Sequence, residues 1–369
     1  MAKKRNRKIY LIVGLIVVLI LGKFLISSAS FFPFFFQLLF NKNIELKHKD
    51  DEINILLLGI GGENHDGPKL TDTIIFSSIN TKTNKITMVS IPRDFYVPDI
   101  KSKINTAYSE GEEKRKGAGL VLSKAIVEKI LGKNVDYGVV IDFNGFVRAV
   151  DLLGGIDVDV KNTFDDYAYP IAGKENDLCG IEEEGVATLS AQIATGSATE
   201  ADFFPCRFQH IHFDKGLEHM DGEAALEFVR SRHALGSEGS DFARSARQGK
   251  VINAFKDKIF SLEVLTNPGK VINLYSILKG SIDTDIKDTE FDDFIRLLSK
   301  MKDAKIQSAV LDTGDSGNSR EGLLINPFPE DFGGAWVLIP RRGASDFSEI
   351  QSYVDCVITK ENCSVSKPL

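Results

Sequence analysis

Residues Ile53 to Ile60 read INILLLGI, and the next two runs read TIIFSSIN (Thr73 to Asn80) and KITMVSIP (Lys85 to Pro92). The first is a short, continuous apolar stretch ending in glycines, the pattern of a central strand buried on both faces. The other two are rich in β-forming residues, and Thr81-Lys82-Thr83-Asn84 between them reads as a hairpin connection. Further on the pattern interleaves. Gly119 to Gly132 carries Val121, Leu122, Ala125, Ile126 and Ile130 at helical spacing and stops at a glycine. Val135 to Asp142 is strand-like, Gly145 to Leu153 helical, and Ile156 to Val160 alternates as a strand. Strands mixed with helices in this way place the chain in the α/β class.

Residues 51 to 369 suffice for one large α/β domain or two smaller ones, and no repeat or long Pro/Gly/Ser linker divides them. Residues 170 to 212 have weak periodicity, many glycines and two cysteines, and read as an insertion clamped by a disulfide. The four cysteines, Cys179, Cys206, Cys356 and Cys363, suggest by their spacing two local bridges, Cys179–Cys206 and Cys356–Cys363, although three connectivities are open. Tight C-x-x-C pairs of the zinc type are absent.

The N-terminus points to a membrane. A basic tail over residues 1–8, MAKKRNRK, precedes an apolar run within residues 9–30, long enough to span a bilayer as a helix. The basic cluster predicts a cytoplasmic N-terminus and an extracytoplasmic remainder. Small residues at Ser28-Ala29-Ser30 leave a cleaved signal peptide as the alternative. Residues 31–50 form a juxtamembrane segment that starts with FFPFFFQLLF, too short and too broken by Pro33 for a second span. The first 30 residues hold six basic side chains and no acidic one, so the remainder of the chain, net −7 overall, carries −13. Such a domain lacks the broad basic face that nucleic-acid binding needs.

Against that acidity stands FVRSRHALGSEGSDFARSARQ, Phe228 to Gln248, with Arg230, Arg232, Arg244 and Arg247 inside eighteen positions. Guanidinium groups stay charged and match phosphate bidentately, so the cluster suits a phosphate or pyrophosphate. The bland alternative is a solvated set paired with Glu223, Glu227, Glu238 and Asp241. Asp221 is a good N-cap for EAALEFVR, and Asp241 or Ser240 for the helix after it. If the first helix ends near Val229 and the chain becomes extended, Arg230 and Arg232 aim at one face. Arg244, Arg247 and Gln248 lie three and four apart on the second helix, whose N-terminal dipole adds positive potential.

Two further loops carry candidate groups. GIGGENHDGPKLTDT, Gly59 to Thr73, gives glycines for close backbone approach and offers Asp72, Asp66 and His65. Alone it is a weak signal, since it is neither a P-loop nor a dinucleotide fingerprint. SIPRD, Ser90 to Asp94, projects Arg93 from the end of a buried strand, where α/β sheets tend to bind ligands. Lys103 in KIN is a weaker cation of the same kind.

Taken in order, INILLLGIGG, LTDT, VSIPRD, KINTAY, VDYGVVIDFNGFVRAVDLLGGIDVDV, MDGEAALEFVRSR and SDFARSARQ resemble the LytR-CpsA-Psr family over roughly residues 53 to 260. The resemblance implies a mixed central β-sheet flanked by helices, with a hydrophobic tunnel for a polyprenyl chain. Its activity would be a Mg²⁺-dependent phosphotransferase that moves a glycopolymer from an undecaprenyl-pyrophosphate carrier to peptidoglycan or another cell-wall glycan, leaving a phosphodiester. The polymer, teichoic acid or capsule, is not specified by these motifs. By the same resemblance Asp72 matches a metal-ligating aspartate and Arg93 the arginine of IPRD. Arg230 and Arg232 match a pair that grips pyrophosphate, and Arg244, Arg247 and Gln248 the helix start that completes the site. The family's second metal aspartate has no counterpart in register, so Asp66 stands in at a shifted position.

Phosphoryl transfer needs positioning and charge stabilisation more than covalent chemistry. A carboxylate must accept the attacking hydroxyl's proton, and Asp94 and Asp241 are candidates. Water as the acceptor would make the protein a lipid pyrophosphatase instead. A membrane-bound transcriptional regulator is the third reading, disfavoured because about eight residues would face the cytoplasm.

Overall fold

The computed structural model describes residues 44–49, 51–62, 67–194, 197–259, 261–265, 267–301, 303–315, 320–360 and 363–365. The expected membrane span, residues 9–30, and Asp66 and His65 lie outside them. Among the described residues no helix is long and apolar enough to cross a membrane. Two units are present. Of the described residues, 44–46 and 287–300 belong to the smaller, and those within 47–286 and 301–365 to the larger.

In the larger unit β1 is Glu52–Ile60, β2 Thr71–Asn80, β3 Lys85–Ser90 and β4 Tyr137–Asp142. With β9 (Ile282–Thr284) and β10 (Lys305–Val310) they form a six-stranded sheet in the order β9-β4-β1-β2-β3-β10. Pairing of β1 with β4 and of β3 with β10 is parallel, and the other three pairings are antiparallel. The expected hairpin joins β2 to β3, with Asn80 opposite Lys85. The apolar run of β1 needs cover on both sides. Leu56 and Leu58 enter a core with Phe76, Val89 and helices α2 (Ala118–Leu131) and α9 (Ser348–Thr359). The alternate residues Ile53 and Ile55 are buried as well.

A second core forms from α3 (Phe143–Leu153), α5 (Gly222–Arg230), α6 (Asp241–Ile259) and two ribbons. One ribbon pairs β5 (Ile156–Val160) with β8 (Gly216–Met220), and the other pairs β6 (Phe164–Pro170) with β7 (Phe208–Phe213). Ala149 and Leu153 of α3 also pack on Leu274 of α7 (Pro268–Ser281). Helix α1 is Ala107–Lys114. In the smaller unit α8 (Phe291–Lys300) holds Arg296 against Asp292 at 2.7 Å and Asp293 at 2.6 Å.

The insertion is narrower and more regular than its weak periodicity predicts. Residues 208–212 belong to β7, whose alternation of exposed His210 and His212 with buried Ile211 and Phe213 is a two-residue period too short to stand out. Between Pro170 and Phe208 lies helix α4, Glu183–Ala194. Disulfides join Cys179 to Cys206 and Cys356 to Cys363. The first closes the insertion, and the second ties the end of α9 to the C-terminal segment.

Candidate active site

The site is built where β2, the segment after β3, the end of α5 and the start of α6 meet. Helix α5 begins at Asp221, whose side chain accepts from Ala224 N, and ends at Arg230. Ser231 then turns extended, with φ −49° and ψ 128°. The expected break therefore falls one residue later than Val229, at Arg230, and both Arg230 and Arg232 reach the same cavity. Ser240 starts α6, its Oγ accepting from Ala243 N at 3.2 Å, so Asp241 falls in the first turn. The side chain of Asp241 is outside what the structure describes.

Six of the residues singled out by sequence line one cavity of about 240 Å³: Asp72, Arg93, Arg230, Arg232, Arg244 and Gln248. That volume lies below the usual range for drug-sized ligands, about 300–1,000 Å³, and suits a charged head group more than a whole substrate. Arg93 Nη1 donates to Asp72 Oδ1 at 2.6 Å. Burial works against the charge on Arg93, but the bond and proximity to Asp72, helped by Asp94, outweigh it and raise its pKa. Arg232 meets the opposite balance. Burial and the neighbouring charges of Arg244 and Arg93 push it down to about 10. Arg230 lies over the ring of Phe143 at 4.7 Å and near that of Tyr169 at 5.9 Å. These aromatic faces favour the cation without neutralising it.

Three candidate residues stand elsewhere. Arg247 is not in the cavity wall. Its side chain is 3% exposed and donates to Phe228 O at 2.8 Å, Ser231 O at 2.7 Å and Glu238 O at 2.8 Å. On a helix, residues three apart share a face only loosely, and here the cavity takes Arg244 and Gln248, four apart, while Arg247 turns under them. Lys103 donates to Asp94 Oδ1 at 2.7 Å, and Asp94 Oδ2 is 3.6 Å from Arg93 Nε. Neither Lys103 nor Asp94 lines the cavity; they brace Arg93 from behind.

The structure adds residues that sequence patterns did not single out. Glu175, carried by the insertion, and His233 line the cavity beside Tyr169. Burial, partly opposed by Arg230, pushes the Tyr169 hydroxyl up to about 12. Most consequential is Asp166, a fully buried carboxylate. Its Oδ2 accepts from Ser231 Oγ at 2.7 Å, Arg232 N at 3.2 Å and His233 N at 3.1 Å. This one side chain fixes the turn that presents Arg230 and Arg232. The pair FDD holding Asp165 and Asp166 has no local signature, but alternation within β6 marks Asp166 as the inward-facing one.

Four guanidinium groups thus face two carboxylates in a small cavity at one end of the central strands of a mixed sheet, in an α/β protein whose donor array matches the geometry of a phosphate-type anion. The chain belongs to the LytR_cpsA_psr family, whose model matches residues 37–323. It is similar to the polyisoprenyl-teichoic acid–peptidoglycan teichoic acid transferase TagV of Bacillus subtilis, at 28% identity over 257 residues. That match covers 68% of this chain and 53% of the relative, so the chain spans about half of TagV. The corresponding transferase TagU of Oceanobacillus iheyensis is 27% identical over 76% of this chain and 72% of its own length. Among solved structures, the crystal structure of B. subtilis TagV shares the fold, with a TM-score of 0.52, 24% identity, and coverage of 85% of this chain and 100% of that one.

Proposed function

We propose that the protein is a phosphotransferase that moves a glycopolymer from a polyprenyl-pyrophosphate carrier to peptidoglycan or another cell-wall glycan. The observation that carries this reading is the convergence of Arg93, Arg230, Arg232 and Arg244 around Asp72 in a cavity of head-group size. The family relatives named as teichoic acid–peptidoglycan transferases support the same reading of the donor and acceptor. The acceptor hydroxyl oxygen attacks the phosphorus that bears the glycan, the bond from that phosphorus to polyprenyl phosphate breaks, and a phosphodiester forms. The arginines hold the pyrophosphate and neutralise the departing polyprenyl phosphate. Asp94 is engaged by Lys103 and stands outside the wall, whereas Glu175 lines the cavity and takes the proton, with Asp241 at the start of α6 the other expected base.

Asp72 is a hard oxygen donor in the wall, with Oδ1 on Arg93, and this fits Mg²⁺, which binds through one or two carboxylates together with phosphate oxygens. Asp72 would hold the ion, with Asp66 of the adjoining loop as the expected partner. When bound, the ion supplies positive charge to the pyrophosphate oxygens. The anchor over residues 9–30 would keep this domain beside the carrier's membrane, with the N-terminus cytoplasmic and the site extracytoplasmic.

The test is transfer in vitro from defined lipid-pyrophosphate donors to peptidoglycan. Arg230→Ala and Asp72→Ala should each lose transfer by at least about a hundredfold while remaining folded. Wild-type rates in either variant would sink the assignment, and polymer released free into solution would identify a hydrolase.

A further inference from the structure

The outer face of the β6–β7 ribbon carries a second cluster that plays no part in the anion cavity. His210 and His212 are two apart on β7, so both rings leave the same face of the strand. Asp165 sits directly opposite His212 in the ribbon. Its Oδ1 lies 2.7 Å from His210 Nε2 and 2.8 Å from His212 Nδ1. The three donor atoms all lie within 4.8 Å of one another. Behind them, the other nitrogen of His212 is 3.4 Å from Asp214 Oδ1, and His210 stacks on Tyr167 with ring centres 4.2 Å apart.

We propose that Asp165, His210 and His212 form a binding site for a divalent transition-metal ion of the zinc class, which cross-links β6 to β7. Two imidazoles and one carboxylate are the donor set that such ions take, whereas Mg²⁺ and Ca²⁺ prefer oxygen alone. Three protein ligands leave a fourth position for water. Zinc bonds of about 2.0–2.2 Å in a tetrahedral array hold donors roughly 3.3 Å apart, so each nitrogen–oxygen pair need open by only about half an ångström. Asp214 completes a carboxylate–histidine–metal relay that fixes the orientation of the His212 ring.

The site has a structural consequence. At its far end the ribbon is closed by the Cys179–Cys206 disulfide of the insertion, and the ion ties the near end. The residue next to Asp165 is Asp166, which holds the Ser231–His233 turn, and Asp165 O itself accepts from Leu235 N at 2.9 Å. An ion here therefore stiffens the strand that shapes the arginine turn, without touching substrate.

Calorimetric titration of the full-length chain in detergent with ZnCl₂, in excess Mg²⁺ and at about pH 8, where ordinary imidazoles are neutral, tests the site. Wild type should bind one Zn²⁺ per chain, and His210→Ala or His212→Ala should each weaken it by on the order of tenfold or more. Asp72→Ala should bind zinc as wild type does, which separates this site from the catalytic one. Hydrogen exchange over residues 164–170 and 208–213 should slow on adding zinc to wild type and stay unchanged in the double variant. Because both histidines are about 45% exposed, the variants should melt with wild type when zinc is absent. Unchanged zinc affinity in the double histidine variant, or zinc binding abolished by Asp72→Ala, would overturn the proposal.

Discussion

Burial and the guanidinium groups of Arg244 and Arg93 hold the pKa of Arg232 down to about 10. An unfolded chain leaves arginine at its higher ordinary value, so the unfolded state binds this proton more tightly. The charged Arg232 therefore destabilises the fold at every pH below about 10, and the cost fades only as pH rises above that. Its upper bound is about 3 kcal/mol. Arg232→Met should accordingly melt higher than wild type by several degrees in the absence of anions. Inorganic pyrophosphate should raise the melting temperature of wild type by relieving that repulsion, and Arg232→Met should lose this rise. Thermal denaturation with and without pyrophosphate measures both effects, and a variant that melts lower than wild type contradicts the account. At this scale legibility was uneven. Arginines stand out in an acidic chain, so Arg230, Arg232, Arg244 and Arg247 were visible as a group and Arg93 separately at a strand end, but the turn of Arg247 away from the cavity was not. Nor were Asp166 and Glu175, because one aspartate in FDDYAY and one glutamate in an irregular insertion look like ordinary solvated acids until the fold shows where they point.

Between residues and fold, the working unit is the pair α5–α6 with the turn joining them. Arg247 binds the last turn of α5 at Phe228 O, the turn at Ser231 O and the short helical turn Gly236–Gly239 at Glu238 O. Ser245 on the same helix meets Ser90 Oγ at 2.8 Å, which fastens α6 to the end of β3. Removing Arg247 leaves buried carbonyls unpaired and Glu238 without its cation. Arg247→Ala should lose on the order of 3–5 kcal/mol of stability, read as a lower urea midpoint. Arg247→Lys should not restore it, since a single ammonium cannot reach three divergent carbonyls. A variant as stable as wild type with transfer alone impaired would place Arg247 on the substrate instead. Elements with strong periodicity were legible: β1 to β4, α2, α3, β5 and the capped start of α5 fall within a few residues of the sequence reading. The β6–β7 ribbon was not, because its bulge between Asp166 and Tyr169 interrupts the two-residue alternation.

For the molecule as a whole, sequence order and spatial order part company, and that is where reading the chain stops. Strands β1, β2 and β3 lie side by side as their short connections dictate, but β4 returns to the other edge of β1, and β10 joins β3 after more than two hundred residues. No local pattern encodes those pairings; they follow from which apolar faces need cover. The cysteines offer the sharpest whole-molecule test of the proposed location. All four described cysteines are paired in two bridges, and within the described residues none is free. Bridges of this kind persist in oxidising surroundings and are reduced in the cytosol. The Cys179–Cys206 bridge spans 27 residues of sequence, a loop for which chain entropy predicts a contribution of about 3–4 kcal/mol. In intact cells, then, a thiol-alkylating reagent should leave the protein unmodified until a reductant is added, after which four labels should appear. The reduced, alkylated chain should also unfold at a lower temperature than the native one. Labelling of all four thiols without reductant would place the domain in the cytosol and remove the basis for its access to an extracytoplasmic acceptor.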